Sequence, residues 1–173
     1  MANLKIIKKS KTLVREIQKY KLKKKKIGFV PTLGALHKGH LELIRLAKKE
    51  SDIVVVSIFL NPLQFNSKSD FKKYPTNLVT DKKKINKEKV NILYIPAIND
   101  VFPSKKIKIV KVSNKTNKLC GKFRKGHFNG VVTVLKSLFD QVSPNLAFFG
   151  EKDFQQILII KDLILEYKLK IKI

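Results

Sequence analysis

The chain has 173 residues, 43% of them hydrophobic and 29% charged, which are globular values and exclude a disordered tail. Its 38 Lys and Arg against 13 Asp and Glu give a formal net charge of +25, enough to attract polyanions non-specifically. The lysines are spread along the whole sequence instead of forming one stripe, which favours a solvated basic surface over a dedicated nucleic-acid site. A single cysteine, Cys120, excludes an intrachain disulfide and a cysteine zinc cluster, and it reads as a small buried hydrophobe. The longest apolar run, residues 53–60, is too short to span a bilayer. A soluble cytoplasmic domain is the expectation.

In chain order, Ser10 is expected to cap a helix over residues 11–24, with Leu13, Val14, Ile17 and Tyr20 on one face. The basic run Lys23–Lys26 reads as its charged end, leading into a buried strand over Ile27–Val30. Pro31 and Gly34 break that strand. His37, Gly39 and His40 follow at the start of an amphipathic helix carrying Leu41, Ile44 and Ala47. The β-branched run Ile53–Phe59 reads as a strand covered on both faces, completing a right-handed βαβ unit. Asn61-Pro62-Leu63-Gln64 then ends the strand with two amides, and a polar loop runs through Tyr74-Pro75. A helix from Thr76 or Asn77 to about Lys89 precedes a third strand over Ile92–Ile95.

Residues 107–112 alternate apolar and basic side chains, the pattern of a half-exposed strand. Glycines bracket Arg124 and His127, after which Val131, Leu135, Leu138 and Phe139 mark a helix. A fourth long strand is expected over Leu146–Phe149, ending in Gly150-Glu151-Lys152-Asp153. A helix to about Tyr167 and a last strand over Leu169–Ile173 complete the chain. Such alternation predicts an α/β fold, a Rossmann-like doubly wound parallel sheet with the long strands in the order 3-2-1-4-5. The two most polar post-strand loops, 37–40 and 150–153, then follow the central neighbouring strands, where the winding reverses and nucleotides bind. Two of three histidines within four residues at a helix start favour phosphate contact over loop surface. Lys152 in a helix first turn opposes the dipole unless an anion lies close by. Asn61, Gln64 and Gln156 could be plain cap amides, but their joint position after two strands favours substrate hydrogen bonding. For Arg124 and His127 the local pattern leaves structural and functional readings evenly balanced.

Four segments, Val30–His40, Val54–Phe65, Arg124–Val131 and Phe149–Gln156, resemble in this order the motifs of the pantothenate synthetase (pantoate–β-alanine ligase) family. His-x-Gly-His by itself marks only the wider HxGH nucleotidyltransferase superfamily. The resemblance covers nearly the whole chain. It implies one ATP- and pantoate-binding domain over residues 1–173, which condenses pantoate with β-alanine through a pantoyl adenylate and releases AMP and pyrophosphate. Mg2+ would neutralise the departing pyrophosphate, and no protein residue is singled out as its ligand. The resemblance implies ATP contacts at Leu33, Gly34, Ala35, Leu36, His37, Lys38, Gly39 and His40, and at Gly150, Glu151, Lys152 and Asp153. His40 matches the proton donor, with His37 and Lys152 as further catalytic groups. Gln64 and Gln156 would hold pantoate, with Asn61, Arg124 and His127 around the pantoate and β-alanine region. A cytoplasmic homodimer is implied, with neither a specific nucleic acid nor a membrane as partner.

The sequence departs from the family pattern at Leu33, where methionine is usual, and at Lys38, where an acidic residue is usual. The family also continues past the fifth strand into a Ser-Ser-Arg-Asn segment and a smaller C-terminal lid domain, whereas this sequence stops at Ile173. Two other readings stand beside the ligase: a degenerate nucleotide-binding remnant without ligase activity, and a basic nucleic-acid-binding module.

Overall fold

A computed structural model describes residues 4–104, 107–112, 116 and 120–173; the side chain of Cys120, and with it the expectation of a buried thiol, lies outside the described residues. The elements are β1 (Lys5–Ile7), α1 (Ser10–Leu22), β2 (Ile27–Thr32), α2 (Lys38–Glu50), β3 (Ile53–Ile58), α3 (Lys68–Lys73), α4 (Leu78–Lys87), β4 (Ile92–Tyr94), α5 (Ile98–Val101), α6 (Cys120–Phe123), α7 (His127–Val142), β5 (Leu146–Ala147) and α8 (Phe154–Glu166). Single 3-10 turns over Pro62–Gln64 and Glu151–Asp153 follow β3 and β5.

The strands form one parallel sheet in the order β1-β4-β3-β2-β5. Counted over the long strands, with the bridge between Leu146 and Lys172 as the last position, this is the expected 3-2-1-4-5. The central pair is in register from Ile27 opposite Ile53 to Thr32 opposite Ile58. Successive strand residues face opposite layers. Phe29 and Val55 join Leu13, Ile17, Leu135, Leu138 and Ile160 beneath α1, α7 and α8. Val30, Val54 and Val56 join Ile44, Ala47 and Ile85 beneath α2 and α4. Burial on both faces is why the β-branched run reads as continuous instead of alternating.

Four expectations are corrected. Ser10 is the first helical residue of α1 and not its cap. Lys9 holds the cap position without a side-chain capping bond, and the Ser10 N–H is accepted by Asp100 Oδ1 at 3.2 Å. Residues 107–112 form no strand. The Val110 N–H goes to Thr133 Oγ1 on α7 at 2.9 Å, while Ile107, Val110 and Val112 pack on the core, so a helix covers the apolar side. The fourth long strand keeps only Leu146–Ala147 of its expected four residues, and the fifth shrinks to the bridge at Lys172. The structure also adds an element: β1 pairs outside β4, three residues too short to stand out in the sequence. The polar loop after β3 likewise contains α3, capped by Ser67, whose Oγ accepts the Asp70 N–H.

Parallel topology brings the carboxyl ends of β2, β3 and β5 to one edge. The loops that follow them meet there with α7.

Candidate active site

The loop after β2 is fixed by contacts inside the protein. Thr32 Oγ1 donates to the Ser57 carbonyl at 2.8 Å and accepts the Gly34 N–H at 3.2 Å. Gly34 and Ala35 then take left-handed backbone angles, φ +90° and +51°, which glycine adopts freely and alanine only at a cost. The amides of Ala35 and Leu36 both point at the Asp81 carboxylate, at 2.9 and 2.8 Å.

His37 is the N-cap of α2. Its Nδ1 accepts the Gly39 N–H at 3.1 Å, and His40 Nδ1 accepts the His37 N–H at 3.4 Å. This is a capping box with imidazoles in place of hydroxyl and carboxylate. An Nδ1 that accepts carries no proton, so these partners assign the neutral Nε2–H tautomer to both rings. The rings lie 4.1 Å apart between centroids, tilted by 34°. Burial pushes the His40 imidazole below its ordinary value, the neighbouring His37 pushes the same way, and Asp81 opposes both.

Across the sheet edge, the Pro62–Gln64 turn is pinned to α7. Asn61 is fully buried; its Oδ1 accepts the Leu63 N–H at 3.2 Å, and its Nδ2 donates to the Gly130 carbonyl and to Gln64 Oε1, each at 3.1 Å. Gly130 permits this contact, because a Cβ there would lie 2.2 Å from the Leu63 carbonyl oxygen. The Gln64 side chain is thus held through its Oε1. His127, 7% exposed, donates from Nδ1 to the Gln64 carbonyl at 2.7 Å, the opposite tautomer to the loop histidines. Burial lowers its pKa, and the Gln64 hydrogen bond partly offsets this.

These parts enclose a cavity of about 310 Å³ lined by His37, His40, Gln64, Asp153, Gln156 and Leu33 among the residues singled out from the sequence. Gly34, Ala35 and Leu36 lie behind the lining, with their amides occupied as described. Lys38, Gly39, Gly150, Glu151, Lys152 and Arg124 are exposed outside it, while Asn61 and His127 are buried behind Gln64. Asn61 therefore shapes the wall and does not itself line the cavity. The structure adds an apolar wall of Phe59, Val131, Val134, Leu135, Leu138 and Phe149, together with Tyr74. Tyr74 packs edge-on to Phe65 at 5.7 Å between ring centroids, and burial raises its hydroxyl pKa.

The helical spacing of Val131, Leu135 and Leu138 was visible in sequence, but it marks core and cavity wall alike. Asp81 gave no such sign. Its one local cue is an acidic residue four positions after Asn77, in the first turn of α4, which ordinary helix starts share. Among the described residues no three His, Cys, Asp or Glu side chains group to hold a metal. No helix among them is long and apolar enough to cross a membrane.

The family model for pantoate–β-alanine ligase matches residues 5–173. A pantothenate synthetase of Buchnera aphidicola subsp. Acyrthosiphon pisum is 49% identical over 170 residues, covering 97% of this chain and 60% of that protein. One from a Thermoanaerobacter species is 46% identical over 157 residues, covering 91% and 56%. Among solved structures, a pantoate–β-alanine ligase from Francisella tularensis, complexed with β-γ ATP and β-alanine, superposes with a TM-score of 0.92 at 39% identity. It is matched over 98% of this chain and 65% of its own. The chain thus spans between 56% and 60% of the length of these two curated relatives.

Proposed function

Because the chain belongs to the pantoate–β-alanine ligase family, we propose that residues 1–173 are its ATP- and pantoate-binding domain, and that the protein condenses pantoate with β-alanine. The observation that carries this reading is the convergence of the two imidazoles and Gln64 with Asp153 and Gln156 on one cavity of about 310 Å³. The ATP and β-alanine bound by the Francisella relative supply ligand chemistry that fits it.

In this reading a pantoate carboxylate oxygen attacks the α-phosphorus of ATP. The bond to the β-phosphate oxygen breaks, and pyrophosphate leaves with the electron pair. The amine of β-alanine then attacks the acyl carbon, loses a proton, and AMP departs as pantothenate forms. Neutral His37 and His40 donate Nε2–H to phosphate oxygens whose charge rises in the transition state. The Gln64 NH2 and Gln156 hold the pantoate oxygens in line with phosphorus. The apolar wall on α7 and Phe149 shields the acyl adenylate from water. Lys152, on the exposed rim, meets the triphosphate from outside. The Ala35 and Leu36 amides are occupied by Asp81, so their share in ATP binding is to shape the loop.

Mg2+ binds through one or two carboxylates plus substrate phosphates. Asp153, the carboxylate among the lining residues, fits that role beside the nucleotide, where the ion would offset the charge of the leaving pyrophosphate. A cytoplasmic homodimer is proposed on the family relation alone.

The test is pantoate-dependent exchange of labelled pyrophosphate into ATP. Exchange by this chain, lost by about 100-fold or more in His40→Ala, is the expected result on the scale of one oxyanion donor. ATP binding without exchange would identify a nucleotide-binding remnant. Salt-sensitive RNA binding indifferent to pantoate would identify a basic nucleic-acid module.

A further inference from the structure

The amides of Ala35 and Leu36 converge as the N–H groups of an anion-binding concavity do, yet the anion they meet belongs to another layer of the fold. Asp81 is 2% exposed, in the first turn of α4. Its Oδ2 accepts from Ala35 at 2.9 Å and its Oδ1 from Leu36 at 2.8 Å. One turn on, Lys84 Nζ donates to the Leu36 carbonyl. Residue 36 is thus gripped at both its N–H and its C=O by one face of α4, and Leu36 itself is buried between them. The carboxylate sits where the positive end of the α4 dipole favours it. The next residue is His37, whose backbone must be extended, φ −125° and ψ 179°, to cap α2.

We infer that Asp81 and Lys84 are positioning residues for the imidazole pair. By fixing Leu36 and the left-handed turn before it, they deliver His37 to the α2 cap with Nδ1 turned to the backbone, and so set both imidazoles as Nε2–H donors toward the cavity. Two consequences follow. Neither amide is open to a nucleotide phosphate, so recognition there falls to the ring protons. Reactivity of the pair is also set by a helix that contributes no lining residue to the cavity. This deepens the reading of the pair as the phosphate-facing group, but its test does not require ATP to bind.

The experiment records long-range 1H–15N spectra of the imidazoles in the 15N-labelled chain, above the pH where the rings titrate. The wild type is expected to show Nε2–H for His37 and His40, and Nδ1–H for His127. In Asp81→Asn the carboxamide presents NH2 to one of the two amides, so one hydrogen bond is lost. Both loop rings should then move to mixed tautomers while His127 keeps its own, and unfolding should stay cooperative. Lys84→Met should act in the same direction, and it decides the matter if Asp81→Asn does not fold. ATP affinity, read in parallel by calorimetry, should fall about tenfold in Asp81→Asn, on the scale of one charge-assisted hydrogen bond lost to preorganisation. Unchanged tautomers of His37 and His40 in the folded variants would overturn the proposal, as would an equal disturbance of His127, the mark of general loosening. A wild type that binds no ATP would refute the proposed function and leave the tautomer result to decide the clamp.

Discussion

The two loops that frame the cavity are built in opposite ways. After β2, the groups that set the shape of residues 32–40 are held by the protein: Thr32 by β3, Ala35 and Leu36 by α4, and the Nδ1 atoms of the two histidines by the first turn of α2. After β5, Gly150, Glu151, Lys152 and Asp153 are all exposed, and a Cβ at Gly150 would meet nothing within 4 Å. One side of the site is preorganised before any ligand arrives; the other side presents charge to solvent. The division suits the acyl-adenylate chemistry proposed above. Under the proposed function, groups aimed at one phosphorus atom would be held rigidly, whereas those that meet a flexible triphosphate chain would sit on an open rim.

The sharpest way to break this contrast is at Thr32. Thr32→Val keeps the shape, removes the hydroxyl, and leaves the buried Gly34 N–H unsatisfied. Chemical denaturation should show a loss of about 1–3 kcal/mol, the usual cost of an orphaned buried donor. The paired glycines come next. Gly34→Ala puts a side chain at φ +90°, with Asp81 Oδ2 and Ile58 Cγ2 at 3.2 and 3.3 Å from its Cβ, and should cost about 1–2 kcal/mol. Gly150→Ala, at φ −78° with open space around it, should instead stabilise by about 0.4–1 kcal/mol through the unfolded state. Equal effects at the two glycines would erase the distinction between the loops.

The smallest expected effect is a pH dependence. Burial lowers the native pKa values of His40 and His127, so the unfolded chain takes up these protons first as pH falls below about 6.5. Unfolding is then favoured: the urea midpoint should fall between pH 7.5 and 5.5. His127→Phe should flatten part of that slope, whereas Lys152→Ala on the open rim should leave it unchanged.

The β-branched run of β3, the helix starts at His37 and Asn77, and the order of the long strands were all legible, because each leaves a local mark of periodicity, capping or chain punctuation. The alternation of residues 107–112 misled for a physical reason. Alternation reports one covered face and says nothing of what covers it, and here the cover is α7 instead of a neighbouring strand. β1 was invisible because three residues carry no period. At the site, the two histidines and two glutamines declared themselves by type and position, and all four line the cavity. Arg124 and Lys152, equally conspicuous, stand outside it.

The sequence by itself determined the α/β class, the winding order, the family, and the residue types that meet at the sheet edge. All of these follow from short-range patterns and from motifs long enough to be specific. Only the tertiary structure decided which of those residues face the cavity, which tautomer each imidazole holds, and what anchors the loop. Those outcomes depend on partners far apart in the chain. Asp81 reaches across 45 residues to Leu36, and Asn61 across 69 to Gly130. A hydrogen bond over such a separation leaves no period in the sequence at either end.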